Sequence, residues 1–210
     1  MKEGVVFVKE NSFIYKDSEY IYDEISEKNM IFKRLKAVIL EEMLYIKTIQ
    51  LLLHGGSMEK YITDKIIEIF PQNGEILYDY EKKLNCNLVY VYSVKGKQRV
   101  EKLCSQSKYL EVIPIQFIIR KALKKVLNNK TEAYMAVAMF ENSYYFIECS
   151  NGVFVDNLAS KSVEEIYKHI NGKCSEGKIF IDESCFINEY SLKKMEIIKM
   201  DIVGLINEVL

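Results

Sequence analysis

The run Leu88-Val89-Tyr90-Val91-Tyr92-Ser93-Val94 is dense in β-branched and aromatic side chains and has almost no alternation. It reads as a buried strand, and a buried strand needs partners on both sides. The flanking sequence supplies them. Met58, Ile62, Ile66, Ile69 and Phe70 recur at helical spacing until Pro71 stops the helix, and Asn73-Gly74 then marks a turn. Ile76-Leu77-Tyr78-Asp79-Tyr80 follows as a short strand. Beyond residue 94, Val100, Leu103 and Cys104 mark a second helix, and Leu110-Glu111-Val112-Ile113-Pro114 leads into a long amphipathic helix over about residues 116–127. The middle of the chain is therefore an α/β unit able to bury its own apolar residues.

Outside this unit, the N-terminal part predicts an antiparallel meander. Its strands are residues 5–8, 13–15 and 20–25, with turns at Lys9-Glu10-Asn11 and Lys16-Asp17-Ser18. Phe32, Leu35, Val38, Ile39 and Met43 then fall on one helical face, and residues 46–53 form a strand closed by Gly55-Gly56. The C-terminal part has the same plan in shorter form. Residues 134–140 and 144–149 read as paired strands, Asn151-Gly152 as a hairpin turn, and Val153-Phe154-Val155 as the next strand. Ser162 with Glu165 forms a capping box for a helix burying Val163, Ile166, Tyr167 and Ile170 and ended by Gly172. A strand at 178–181, a helix at about 187–194 and a last strand at 196–202 complete it.

Composition narrows the function classes. A chain of 210 residues buries roughly 70% of its unfolded surface, enough for two small lobes sharing an interface. The net charge of −1 argues against a nucleic-acid binder that works through bulk electrostatics. The opening Met1-Lys2-Glu3-Gly4 passes directly into a strand, and no window reaches the ~18 uninterrupted apolar residues of a membrane span, so a cytosolic chain is expected. Cys86, Cys104, Cys149, Cys174 and Cys185 contain no Cys-x-x-Cys pair, and His54 and His169 lie far from any short-spaced cysteines. Free, mostly buried thiols and no zinc site follow. In the cytosol, the glycosylation triplet Asn129-Lys130-Thr131 is idle.

The order of the middle unit resembles the actin-like pilus assembly protein PilM and the cytoplasmic domain of type II secretion protein L. The matching features are Phe70-Pro71, Tyr78-Asp79-Tyr80, the strand 88–94, the helix 98–107, and Pro114 followed by Phe117, Ile118 and Leu123. The resemblance implies an α/β, actin-like (ribonuclease-H-like) fold of two lobes with an inserted small α/β lobe. Residues 1–56 would form the first lobe, completed by 113–129; residues 57–112 would form the insertion and 130–210 the second lobe. Nucleotide-binding relatives hold phosphates in two hairpins bearing Asp-x-Gly, because a carboxylate organises the metal and a glycine lets backbone N–H groups approach. Here the second position, counted back from Asn151-Gly152, falls on Ala138-Met139-Phe140, a degenerate phosphate turn. The first offers Lys9-Glu10-Asn11-Ser12, and the adenine-side glycine pair is replaced by Asp182-Glu183-Ser184. No cofactor and no catalysis are expected.

The resemblance implies instead a scaffold of a pilus or secretion platform, with an assembly ATPase and a cytosolic peptide of an inner-membrane protein as partners. Contact with the membrane itself would be peripheral or through a partner. Rival readings are a true nucleotide-binding ATPase of the same machinery and an unrelated α/β ligand-binding domain. Tyr78 and Tyr80, on one side of a strand by the period-two rule, are the candidate partner-binding residues.

Other chemistry reads weakly. His54-Gly55-Gly56 has the form of an oxyanion turn, but no Gly-x-Ser-x-Gly elbow exists. Cys149 with His169 would make a nucleophile pair only if a strand cysteine were not simply buried. Gly55-Gly56-Ser57 opens a helix without the Lys-Ser/Thr of a phosphate loop, and Asp79, Asp156, Asp182 and Glu183 fit no metal-ligand spacing. Arg120, Lys121, Lys124, Lys125 and Lys130 give the helix at 116–127 and its extension a basic face, read as solvated or turned to anionic head groups.

Overall fold

The computed structural model describes residues 2–25, 32–51, 57–70, 75–83, 87–104, 107–127, 133–173, 177–185, 192 and 195–210. The segments 52–56, 71–74, 128–132 and 186–191 lie outside these residues, and with them the readings of His54, Pro71, Asn73-Gly74, the glycosylation triplet and most of the helix at 187–194.

Two five-stranded sheets share one topology. The first has strands β1 (Lys2–Val8), β2 (Ser12–Tyr15), β3 (Ser18–Ile21) and β4 (Phe32–Ile39), with β8 (Ser107–Pro114) at its edge, in the order β3-β2-β1-β4-β8. The second has β9 (Tyr134–Phe140), β10 (Ser143–Ser150), β11 (Val153–Ser160), β12 (Gly177–Asp182) and β13 (Met195–Met200), in the order β11-β10-β9-β12-β13. In each, three antiparallel strands are followed by two that run parallel to the first. Each sheet is closed by a helix, α3 (Ile115–Val126) in the first and α5 (Ile202–Val209) in the second. Helix α4 (Val163–Asn171) covers the outer face of the second sheet.

The repeat fixes where the insertion lies. Between the fourth and fifth strands of the first sheet come β5 (Tyr45–Gln50), α1 (Met58–Ile69), β6 (Ile76–Lys83), β7 (Leu88–Lys95) and α2 (Lys97–Cys104). Strands β5, β7 and β6 form a separate three-stranded sheet in that order. The insertion thus takes in β5, expected in the first lobe, and releases residues 107–112, which extend the first sheet instead. Helix α2 packs back onto β8 and the 3-10 helix Tyr22–Ile25 as the crossover helix.

The expected helix around Leu35 is strand β4. Its positions fit a helical spacing because an inner parallel strand is covered on both faces and loses its alternation; Leu35, Ala37, Val38 and Ile39 are all buried. The same effect displaced the second hairpin. Ala138, Met139 and Phe140 are the last residues of β9, and the turn is Glu141-Asn142, both with positive φ. The turns at Lys16-Asp17 and Asn151-Gly152 also have positive φ at both residues, the twist that two-residue hairpins require. The last strand ends at Met200 rather than 202. Asp201 caps α5 there, its side chain accepting from the Gly204 N–H at 2.7 Å. Ser162 does precede α4, but its hydroxyl bonds Glu164 and Glu165 bonds Ser160, so the capping box is not made.

One core runs through all three bodies. It joins Val38 and Leu40 of the first sheet, Ile119 and Leu123 of α3, Tyr92 and Val94 of the insertion, and Ala138, Ile147 and Ile206 of the second lobe. The inserted sheet has its own smaller core under α1, built on Ile62, Ile66, Val89 and Val91. Helices α3 and α5 pack together at the seam between the lobes.

Candidate functional site

The first and second strands of each lobe end in hairpins that approach across the seam. Phe7, near the end of β1, and Phe140, at the end of β9, meet edge to face with centroids 5.3 Å apart. The bend after β4 is pinned to the second lobe. The Glu41 N–H donates to the Tyr145 hydroxyl at 3.1 Å, and the Glu41 carboxylate takes Lys161 at 3.2 Å. Next to it, the Asn157 carboxamide accepts from the Leu44 N–H at 2.7 Å and donates to the Leu44 carbonyl at 2.8 Å. Apolar rings and these bonds occupy the seam on the hairpin side.

An open groove of about 620 Å³ lies elsewhere, where the insertion meets the first lobe. One wall is Leu77, Tyr78 and Asp79 of β6 with Ser93 and Val94 of β7; the other is β8 from Glu111 to Pro114. Helix α3 supplies Phe117, Ile118, Lys121 and Lys124, and Val209 and Leu210 close one end. Both walls are carried by outermost strands, β6 of the inserted sheet and β8 of the first.

The floor holds a buried charge. Arg120, only 6% exposed, reaches both carboxylate oxygens of Glu81 at 2.5 and 2.9 Å and donates to the Gly152 carbonyl at 3.1 Å. Its guanidinium lies 4.4 Å from the Phe154 ring centre and 4.9 Å from that of Phe117, and those rings form an edge-to-face trio with Tyr92. The Tyr92 hydroxyl donates to Glu81 at 3.0 Å. Burial alone would raise the Glu81 pKa, but the Arg120 hydrogen bonds and charge outweigh it and hold the carboxyl below its ordinary value. Arg120 was expected on the solvated face of the helix. A single arginine among lysines at helical spacing carries no mark of burial, and Glu81, 39 residues away, carries none of partnership.

The candidate residues separate in space. Tyr78 is 51% exposed and lines the groove. Tyr80 packs on the inserted lobe's core with Lys82 over its ring. Cys149 and His169 lie on opposite faces of the second sheet, since Cys149 belongs to the central core while His169 packs on Phe146 of the outer one. Burial pushes the Cys149 thiol up to about 11, the opposite of an activated nucleophile. Asp182 accepts from the Ser184 and Val203 N–H groups at 2.9 Å, the latter at the start of α5. Asp79 stands at the groove, and Asp156 bonds His169, so the carboxylates do not cluster. Among the described residues, no group of three or more possible ligands is placed to hold a metal ion.

Asp156 anchors α4 to its sheet. It meets His169 at 2.5 Å and Lys173, which also takes Glu148 at 2.5 Å. Burial raises the Asp156 pKa, but the Lys173 and His169 contacts outweigh it, leaving it depressed. A depressed carboxylate contributes stability above its unfolded pKa of about 4 and loses it as pH falls through the folded value. The melting temperature is therefore expected to fall below about pH 4, with a shallower fall in Lys173→Met. Equal slopes in thermal melts of the two proteins would show that this pair does not set the acid limit.

No protein-family model matches the chain, and no curated protein matches it in sequence. Solved structures do match. A Bacteroides thetaiotaomicron protein of unknown function with an actin-like ATPase fold aligns over 98% of this chain and 96% of its own, with TM-score 0.57 and 9% identity. PilM, in the PilM–PilN type IV pilus biogenesis complex, aligns over 95% and 85%, with TM-score 0.61 and 8% identity. The cytoplasmic domain of EpsL, an inner-membrane component of the Vibrio cholerae type II secretion system, aligns over 99% and 93%, with TM-score 0.54 and 8% identity.

The fold is actin-like. The hairpins at 9–11 and 141–142 follow the first strand of each five-stranded sheet. The contact of Phe7 with Phe140 stands beside them.

Proposed function

We propose that this actin-like chain is a non-catalytic cytoplasmic scaffold of a type IV pilus or type II secretion platform. Its groove holds an extended segment of an inner-membrane partner, and another surface meets the assembly ATPase. The observation that carries the reading is the division of space. The Phe7–Phe140 contact and interlobe hydrogen bonds at Glu41 and Leu44 cross the seam beside the hairpins, whereas an open groove lies between the insertion and the first lobe. Two neighbours support the choice of machinery: one was solved as PilM with PilN, the other as a cytoplasmic domain of an inner-membrane component. Among the described residues, no helix is long and apolar enough to cross a membrane.

A ligand that binds only the folded state raises the melting temperature by mass action. Millimolar ATP-Mg is expected to leave the melting curve unmoved. Cytosolic segments of inner-membrane proteins encoded beside this chain are expected to raise it and to protect β6 and α3 in hydrogen exchange. A shift of several degrees with ATP that magnesium removal abolishes would favour the nucleotide-binding ATPase. Failure of every neighbouring segment and ATPase to bind would sink the scaffold.

A further inference from the structure

The Asn151-Gly152 turn carries chemistry that the scaffold role does not use. Asn151 is exposed with φ 51° and Gly152 has φ 77°, the two positive angles of a type I′ turn, here closed by Ser150 opposite Val153. In a type I′ turn the second residue's nitrogen points away from the first residue's side chain. A type II′ turn differs by rotation of the single peptide plane between them and keeps φ positive at the first residue. That rotation brings the Gly152 nitrogen onto the side of the Asn151 carboxamide, and Asn151 already has the sign of φ it needs. Among the described residues, no hydrogen bond holds the plane, since Arg120 donates to the Gly152 carbonyl, which belongs to the next peptide. Gly152 also has no Cβ to crowd the approach.

The surroundings suit a new anion. A Cβ on Gly152 would lie 3.7 Å from Lys83 Nζ, Arg120 reaches the same residue at 3.1 Å, and Lys124 follows Arg120 by one turn of α3. Glu81 stands among these cations with both its oxygens on Arg120. Burial first, and then the positive charge of Arg120, hold the Lys124 pKa below its ordinary value.

We propose that Asn151 is a site of spontaneous modification whose conversion to aspartate or isoaspartate sets a new charge where the two lobes and the insertion meet. The Gly152 nitrogen attacks Asn151 Cγ; the Cγ–Nδ2 bond breaks, and ammonia leaves with the Gly152 amide proton, giving a cyclic succinimide. Water then opens the ring. Cleavage at Cγ gives aspartate on an unchanged backbone, whereas cleavage at the backbone carbonyl gives isoaspartate, with the chain running through Cβ and Cγ. Isoaspartate adds a methylene to a two-residue turn and displaces the Gly152 carbonyl from Arg120; aspartate does not. Asn142 is the contrast within the same lobe. It too has positive φ, but Ser143 follows it in place of glycine and is paired opposite Phe140 in the β9–β10 ladder.

The test ages the whole protein in mildly alkaline buffer and follows each asparagine by peptide mapping. Isoaspartate is read by enzymatic methylation, and melting temperatures are recorded throughout. Asn73-Gly74 lies outside the described residues, and its peptide is read separately. Conversion at Asn151 is expected in the folded protein about tenfold slower than in the guanidinium-unfolded chain, because asparagine seldom adopts the flipped conformation. Asn142 stays intact. The melting temperature falls in step with isoaspartate, Asn151→Asp melts at or above wild type, and Asn151→Gly, which keeps the turn without a carboxamide, does not drift. If folded Asn151 shows no conversion over about ten half-lives of the unfolded chain, the turn is locked and the proposal is overturned. Conversion of Asn142 as fast as Asn151 would remove the turn from the explanation. A melting temperature that holds steady while isoaspartate accumulates would overturn the link to the junction.

Discussion

Arg120→Ala is expected to cost about 3 kcal/mol, because truncating one partner of a buried ion pair leaves the other charged and unmatched. Such losses run to ~5 kcal/mol, but Glu81 keeps 33% of its side chain exposed and recovers some hydration. The loss is also distributed. Arg120 joins β6 of the insertion, α3 of the first lobe and the turn before β11 of the second, so its removal loosens three bodies at once. Urea melts should therefore show a lower midpoint, and hydrogen exchange should rise in β6 and β7 more than in β12. The double variant Arg120→Met with Glu81→Met separates charge from packing. Replacing both partners by apolar groups of similar length is often close to neutral, and recovery of most of the lost stability is expected. A loss below about 1 kcal/mol in Arg120→Ala, the scale of an exposed pair, would show that the junction is not held by this charge.

That junction was the part of the site least legible in the sequence. Element types followed from local pattern wherever one face met solvent: α1 from Ile62 and Ile66, α4 from Ile166 and Ile170, the hairpin turn from Asn151-Gly152. Pattern failed where burial is two-sided. Strand β4 looked helical, and the uniformly apolar β9 gave no mark of where its hairpin turned, so counting back from Asn151-Gly152 runs past the Glu141-Asn142 turn onto the strand end at Ala138-Met139-Phe140. The edge strand β8 was assigned to the insertion because nothing local tells which of two sheets an extended segment joins. Only its register with β4, from Phe32 opposite Ser107 to Ile39 opposite Pro114, decides it. The candidate site divided in the same way. Tyr78 could be named from its place on a short strand after a turn, whereas Glu81, Arg120 and Asn157 act through partners far along the chain.

Asn157 gives the second large effect. It is 2% exposed, and its carboxamide takes both backbone groups of Leu44, doing for the bend before β5 what a neighbouring strand would do. Asn157→Leu keeps the volume and removes both bonds. Each buried backbone group left unmatched costs about 1–3 kcal/mol, so a total near 3 kcal/mol is expected. Asn157→Asp tells the two bonds apart. The carboxylate still accepts from the Leu44 N–H, but it faces the Leu44 carbonyl with no proton to offer, so it must take up a proton or separate from that oxygen. Its carboxyl pKa is then raised in the fold, and the variant gains stability as pH falls through that value towards the unfolded pKa of about 4, opposite in sign to the acid loss expected at Asp156. Thermal melts of Asn157→Asp across the acid range measure this. A melting temperature that declines with acid as steeply as in wild type would mean that the Leu44 carbonyl finds another donor and that Asn157 is not the clasp between the lobes.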